Sequence, residues 1–132
     1  MRITRRFTKP GQDVFESVEW EKRRSRITDS DGKVVFEMRD AEVPGQWSQL
    51  ATDIMVSRYF QRAGVPQFND DGSPELDENG EQLTGPERSV RQVVNRVVGC
   101  WRHWGEEHGY FDSRIDAEAF YDELAYMLLH QF

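Results

Sequence analysis

The stretch Glu87-Arg-Ser-Val-Arg-Gln-Val-Val-Asn-Arg-Val-Val-Gly-Cys-Trp-Arg-His-Trp-Gly-Glu-Glu-His-Gly109 decides how the chain is read. Val90, Val93, Val94, Val97, Val98, Trp101 and Trp104 recur at steps of three and four, so they share one stripe of a 3.6-residue helix. Arg88, Gln92, Asn95, Arg96, Arg102 and Glu106 fall off that stripe. Pro86 suits the first turn, Glu87 sets negative charge against the positive end of the helix dipole, and Gly109 suits the residue past the end. The spacing predicts a central helix over 87–108. Each large apolar side chain it buries contributes roughly 1.5–3 kcal/mol, which outweighs the modest helix propensity of five valines. On this reading Trp101→Ala costs about 3–5 kcal/mol.

Working outward, Asp116 is placed to cap a C-terminal helix over 116–131 with Ala117, Phe120, Leu124, Met127, Leu128 and Gln131 on its inner face. Tyr126, Met127, Leu128, Leu129 and Phe132 crowd its last turn, whereas a free chain end is commonly polar. This predicts an end cut from something longer or made to dock, with Tyr126, Leu129 and Phe132 as the interface. Upstream, Trp47, Leu50, Ala51, Ile54, Tyr59 and Phe60 line one face of a helix over 47–63, stopped by Gly64 and Pro66. Residues 64–86 read as a long acidic loop, punctuated by Asp71-Gly72 and Asn79-Gly80. Residues 14–42 read as a β-hairpin region. Val18 and Trp20 alternate there with Ser17, Glu19 and Glu21, and two β-favouring runs then flank Asp29-Ser30-Asp31-Gly32. Residues 1–13 form a basic arm, expected to be loosely held. The fold class is mainly α (α+β), with about three packed helices, an N-terminal β-hairpin and the long acidic loop in a single domain over 14–132.

Composition narrows the class of protein. Of 132 residues, 37% are hydrophobic and 31% charged, enough apolar material for one core inside a well-solvated surface. No apolar run approaches a membrane span, and Arg2, Ile3, Thr4, Arg5 and Arg6 leave no room for the apolar centre of a secretion signal. A cytoplasmic protein is expected, and a single cysteine suits that reducing setting. Residues 1–46 carry ten Lys or Arg against nine acids, a net +1; residues 47–132 carry seven against fifteen, a net −8. An acidic body disfavours nucleic acid, whose phosphates require Lys and Arg.

Reactive groups are few. Cys100, His103 and His108 lie close in sequence, yet Cys100 falls beside Val93, Val97 and Trp104, where a thiol acts as a small hydrophobe, and no further ligand spacing completes a metal site. Glu75, Asp77, Asn79 and Gly80 resemble the front of a calcium loop, but Pro86 stands where a bidentate Glu is required. The cluster Lys22, Arg23, Arg24 and Arg26 is interleaved with Glu19, Glu21, Asp29 and Asp31 and reads as a solvated edge strand. No phosphate loop or nucleophile elbow is present. The residues describe a module with no catalytic, cofactor-binding or metal-binding residues of its own.

Several motifs in fixed order carry a family resemblance. Trp20, Asp31-Gly32 and Phe36 come first, then Val43-Pro44, Trp47-Ser48-Gln49-Leu50-Ala51-Thr52-Asp53-Ile54 and Ser57-Arg58-Tyr59-Phe60. Ser89-Val90-Arg91-Gln92-Val93-Val94, Arg96-Val97-Val98, Trp104-Gly105, Gly109-Tyr110-Phe111 and Ala117-Glu118-Ala119-Phe120-Tyr121-Asp122-Glu123-Leu124 follow. Together they resemble the amino-terminal domain of vitamin B12-dependent (class II) ribonucleotide reductases. The resemblance implies a parent enzyme that converts ribonucleoside diphosphates to deoxyribonucleotides for DNA synthesis, with adenosylcobalamin generating a thiyl radical and a cysteine pair as reductant. It implies a catalytic barrel, on the same or a separate chain, as partner, and allows a homo-oligomer of the whole enzyme. That chemistry asks for at least three cysteines and this chain has one, so no catalytic position of the family carries over. The competing readings are a free-standing acidic interaction or regulatory module and a nucleic-acid binder acting through Arg2 to Arg26.

Overall fold

The computed structural model describes residues 1–132. Strands β1 (Trp20–Thr28) and β2 (Val34–Pro44) form an antiparallel hairpin in the register Trp20↔Pro44, Ser25↔Met38 and Thr28↔Val34. Its turn is built by Asp29, whose Oδ1 accepts the N–H groups of Asp31 and Lys33 at 2.9 Å, and by Gly32 at φ +79°. The extended segment expected from residue 14 begins only at Trp20, because Val14–Ser17 is a turn of 3₁₀ helix capped by Asp13. Val14 and Val18 are both buried, four residues apart, a helical spacing that partial alternation disguised.

The hairpin dictates which side of the next helix faces inward. Arg23 reaches from β1 to the carbonyls of Gly45 and Trp47 and to the Thr52 hydroxyl at 3.1 Å, while Ser25 donates to Asp53 at 2.7 Å. Helix α1 (Gln49–Ile54), capped by Ser48, is thereby held with Thr52 inward and runs directly into a π-helical turn, Met55–Tyr59. The wider turn adds a residue to the helical count. Thr52, Val56 and Phe60 are buried, whereas Leu50, Ile54 and Tyr59, expected inside, point largely to solvent.

Between residues 64 and 86, β3 (Val65–Pro66) pairs with β4 (Thr84–Gly85), and the chain doubles back twice between them. Gln67, Glu75 and Leu83 bond to one another across three limbs. Both turns reuse the chemistry of the hairpin: Asp77 accepts from the N–H groups of Asn79 and Glu81, Asp71 from Ser73, and Gly72 and Gly80 follow at positive φ.

Helix α2 (Val90–Glu107) starts later than Pro86 suggested, at a capping box. Ser89 Oγ accepts the Arg91 N–H while the Gln92 side chain returns to the Ser89 N–H, each at 3.1 Å. Glu87 lies outside the helix and is 3% exposed, accepting the Gln61 N–H at 2.7 Å and the Arg96 guanidinium at 3.0 Å. Helix α3 (Arg114–Leu129), capped by Ser113 ahead of Asp116, returns along α2, with Tyr121 donating to Asn95 at 2.6 Å. The core gathers Val90, Val93, Val94 and Val98 of α2 with Met38, Ala41 and Val43 of β2, Trp47, Val56, Phe60 and Ala125 and Leu129 of α3.

The basic arm is tied to α3 rather than loose. Ile3 donates its N–H to Asp116 at 2.9 Å, Arg5 pairs with Asp122 at 2.7 Å, and Glu123 accepts the N–H groups of Arg6 and Phe7 and the Thr8 hydroxyl. Helix α3 is therefore held both by α2 and by the arm. No helix is long and apolar enough to cross a membrane.

Candidate docking surface

The end of α3 separates the three expected interface residues. Leu129 is fully buried in the domain's own core, and its carbonyl accepts the Trp47 indole N–H at 2.8 Å, so it is not offered to a partner. Tyr126 is half-buried, stacked 5.1 Å from Phe7 and 4.0 Å from His130. Phe132 is 77% exposed and lies 5.1 Å from Phe7, on the outside of that aromatic stack. Burial holds His130 below the ordinary imidazole range. Partial burial of Glu123 opposes its charge, but the N–H groups of Arg6 and Phe7 and the Thr8 hydroxyl outweigh that and lower its pKa.

The second half of α2 differs from its reading as core. The buried cluster stops on this helix at Val98. Trp101 is 46% and Trp104 53% exposed, because the hairpin and the π turn meet only the first half of the helix. Cys100, expected in the core, is likewise exposed, on the edge of the stripe between Val97 and Trp104. Beside the covered half, ahead of Trp101 and Trp104, lies an all-apolar groove of ≈ 290 Å³. It is lined by Trp47, by Met55 and Tyr59 of the π turn, by Val93, Val94 and Val97 of α2 and by Leu128 of α3. Sequence periodicity had marked the α2 residues correctly as one face, but it carried no signal for where the cover would end.

Groups with reactive potential are engaged separately. His103 faces Glu107 at 3.2 Å, His108 lies 5.9 Å from Tyr110, and His130 meets Ser17 at 3.1 Å. No three His, Cys, Asp or Glu side chains are grouped to hold a metal ion. In the basic cluster Arg24 pairs with Glu37 at 2.8 Å, and Arg23 is drawn inward toward Trp47 and Thr52. Asp71 is held below the ordinary carboxylate range by the hydroxyl and N–H of Ser73.

Residues 21–131 match a protein family described as class II vitamin B12-dependent ribonucleotide reductase. The chain is 44% identical to the vitamin B12-dependent ribonucleotide reductase of Agrobacterium fabrum, 40% to that of Bradyrhizobium diazoefficiens and 41% to that of Streptomyces avermitilis. Each comparison takes in 99% of this chain and 12% of the relative, so the chain spans about an eighth of the length of these proteins.

Proposed function

Because the chain belongs to the class II vitamin B12-dependent ribonucleotide reductase family, as its amino-terminal domain, we propose that it is a supporting and docking piece of such an enzyme with no active site of its own. The parent reductase, in this reading, works in the cytoplasm on ribonucleoside diphosphates, and adenosylcobalamin supplies the radical that starts reduction. The residues here do not fit that cofactor. The open cleft beside the arm, ≈ 550 Å³, is of a size for drug-sized ligands, roughly 300–1,000 Å³, rather than a corrinoid, and no histidine lines it to ligate cobalt. The chain's own contribution is mechanical: a rigid core, an arm clamped to α3, and apolar surface left for the catalytic barrel.

The observation that carries this reading is the uncovered apolar surface at Trp101, Trp104, Leu128 and Phe132 in a domain matching 12% of its relatives' length. Single exposed apolar residues are ordinary on a soluble domain, but two half-exposed tryptophans beside an all-apolar groove make a larger surface of the kind that marks an interface. The purified chain is expected to reduce no ribonucleotide and to leave the absorption spectrum of adenosylcobalamin unchanged. It should co-elute with the remaining portion of the reductase in size-exclusion chromatography. Turnover by the chain alone would overturn the proposal.

A further inference from the structure

Val93, Val97, Trp101 and Trp104 run along one ridge of α2 at steps of four, four and three, so the half-exposed tryptophans continue directly from the apolar groove. Every residue lining that groove is hydrophobic. Tryptophan is the residue most characteristic of interface anchors, since it buries a large area and keeps an indole N–H for a carbonyl at the rim. The surface is thus built to receive apolar side chains.

We infer that the groove and the Trp101–Trp104 ridge receive an apolar segment of the reductase's own catalytic portion, a site distinct from the aromatic stack at Phe132. The inference rests on the reading of this chain as one domain of a longer enzyme. Two arguments select that occupant over a second copy of the chain. The matched region is 12% of each relative, so most of the polypeptide lies outside it. A segment tethered on that polypeptide reaches millimolar effective concentration, on the order of what short flexible links give, and outcompetes a separate molecule at ordinary protein concentration. A groove of ≈ 290 Å³ takes one or two large aliphatic or aromatic side chains, and a charged tip would find no partner among its walls.

Hydroxyl-radical footprinting of the full-length reductase, read by mass spectrometry, tests the assignment without altering the protein. Trp101 and Trp104 should oxidise at least tenfold more slowly than Phe68, which is 58% exposed, once rates are corrected for intrinsic reactivity. Cys100, on the edge of the same ridge, should resist alkylation in parallel. In full-length enzyme carrying Trp101→Glu and Trp104→Glu together, limited proteolysis should release the domain at least tenfold faster, while Trp104→Phe stays within twofold of the natural protein. Corrected tryptophan rates equal to that of Phe68 would overturn the inference, as would protection that develops only as protein concentration rises, which assigns the groove to a second copy. If the chain binds the rest of the reductase and is inactive, yet its tryptophans stay reactive in the full enzyme, the groove assignment fails alone. Turnover by the isolated chain removes the docking reading and this inference with it.

Discussion

The two halves of α2 carry the same kind of stripe and meet opposite fates. In the first half, Val90, Val94 and Val98 are covered by the hairpin, the π turn and α3, and the helix start is fixed by a capping box and by buried Glu87, paired with the partly solvated Arg96. In the second half, Trp101 and Trp104 hold larger apolar area but remain about half exposed. Apolar periodicity therefore reports which face of a helix is sticky, and a neighbouring element decides whether that face becomes core or contact surface.

The sharpest way to break this contrast is Val98→Asp, which buries a carboxylate among apolar side chains at a fully covered position. It should cost about 4 kcal/mol or more and abolish cooperative thermal unfolding. Glu87→Gln should cost about 2–3 kcal/mol in denaturant melts, since it leaves Arg96, itself partly solvated, without its countercharge. Glu123→Gln should cost about 2 kcal/mol, because hydrogen bonds from the arm to a charged acceptor are lost. The folded pKa of Glu123 is depressed, so its stabilisation is present above the ordinary glutamate range and is lost as pH falls through the lowered value. The variant should show a flatter acid limb in stability against pH.

Smaller effects sharpen the comparison within α2 itself. At Gly105 an added Cβ would lie 2.9 Å from Phe111 Cζ, whereas at Gly99 it would meet nothing within 4 Å. Gly105→Ala should therefore destabilise by about 1–2 kcal/mol despite better helix propensity, and Gly99→Ala should stabilise by up to about 1 kcal/mol. Trp101→Ala in the isolated chain should cost only about 1 kcal/mol, in place of the 3–5 kcal/mol that a core tryptophan would lose. A loss of the larger size would mean that the second half of α2 is core after all.

What could be read from sequence was what is local. Asp29-Ser30-Asp31-Gly32 announces its turn because an Asx side chain and a left-handed glycine build it without outside help. The valine spacing announces α2 for the same reason. Pro86 and Glu87 misplaced its start, since Glu87 is recruited by Gln61 and Arg96 from elsewhere in the fold. Of the face that apolar spacing points inward, Trp47, Ala51 and Phe60 do meet the core, while Leu50 and Ile54 turn to solvent because Arg23 and Ser25 of the hairpin bond Thr52 and Asp53, a preference apolar spacing does not advertise. Leu129 looked available because an apolar chain end resembles a docking end, and only the fold shows Trp47 already covering it. The tie between the arm and α3 uses backbone N–H groups of Ile3, Arg6 and Phe7, which every residue but proline has and which no side-chain pattern advertises.

Those ties also set an order of events as the protein is made. They link residues 113 to 117 positions apart, so the arm, made well before α3, finds its place only once α3 has been made. Until α3 exists, Arg5 lacks Asp122 and the N–H groups of Ile3, Arg6 and Phe7 lack Asp116 and Glu123, and closing so long a loop is slow relative to forming the hairpin or a helix. The amide protons of Ile3, Arg6 and Phe7 should accordingly acquire protection late in refolding, together with those of α3.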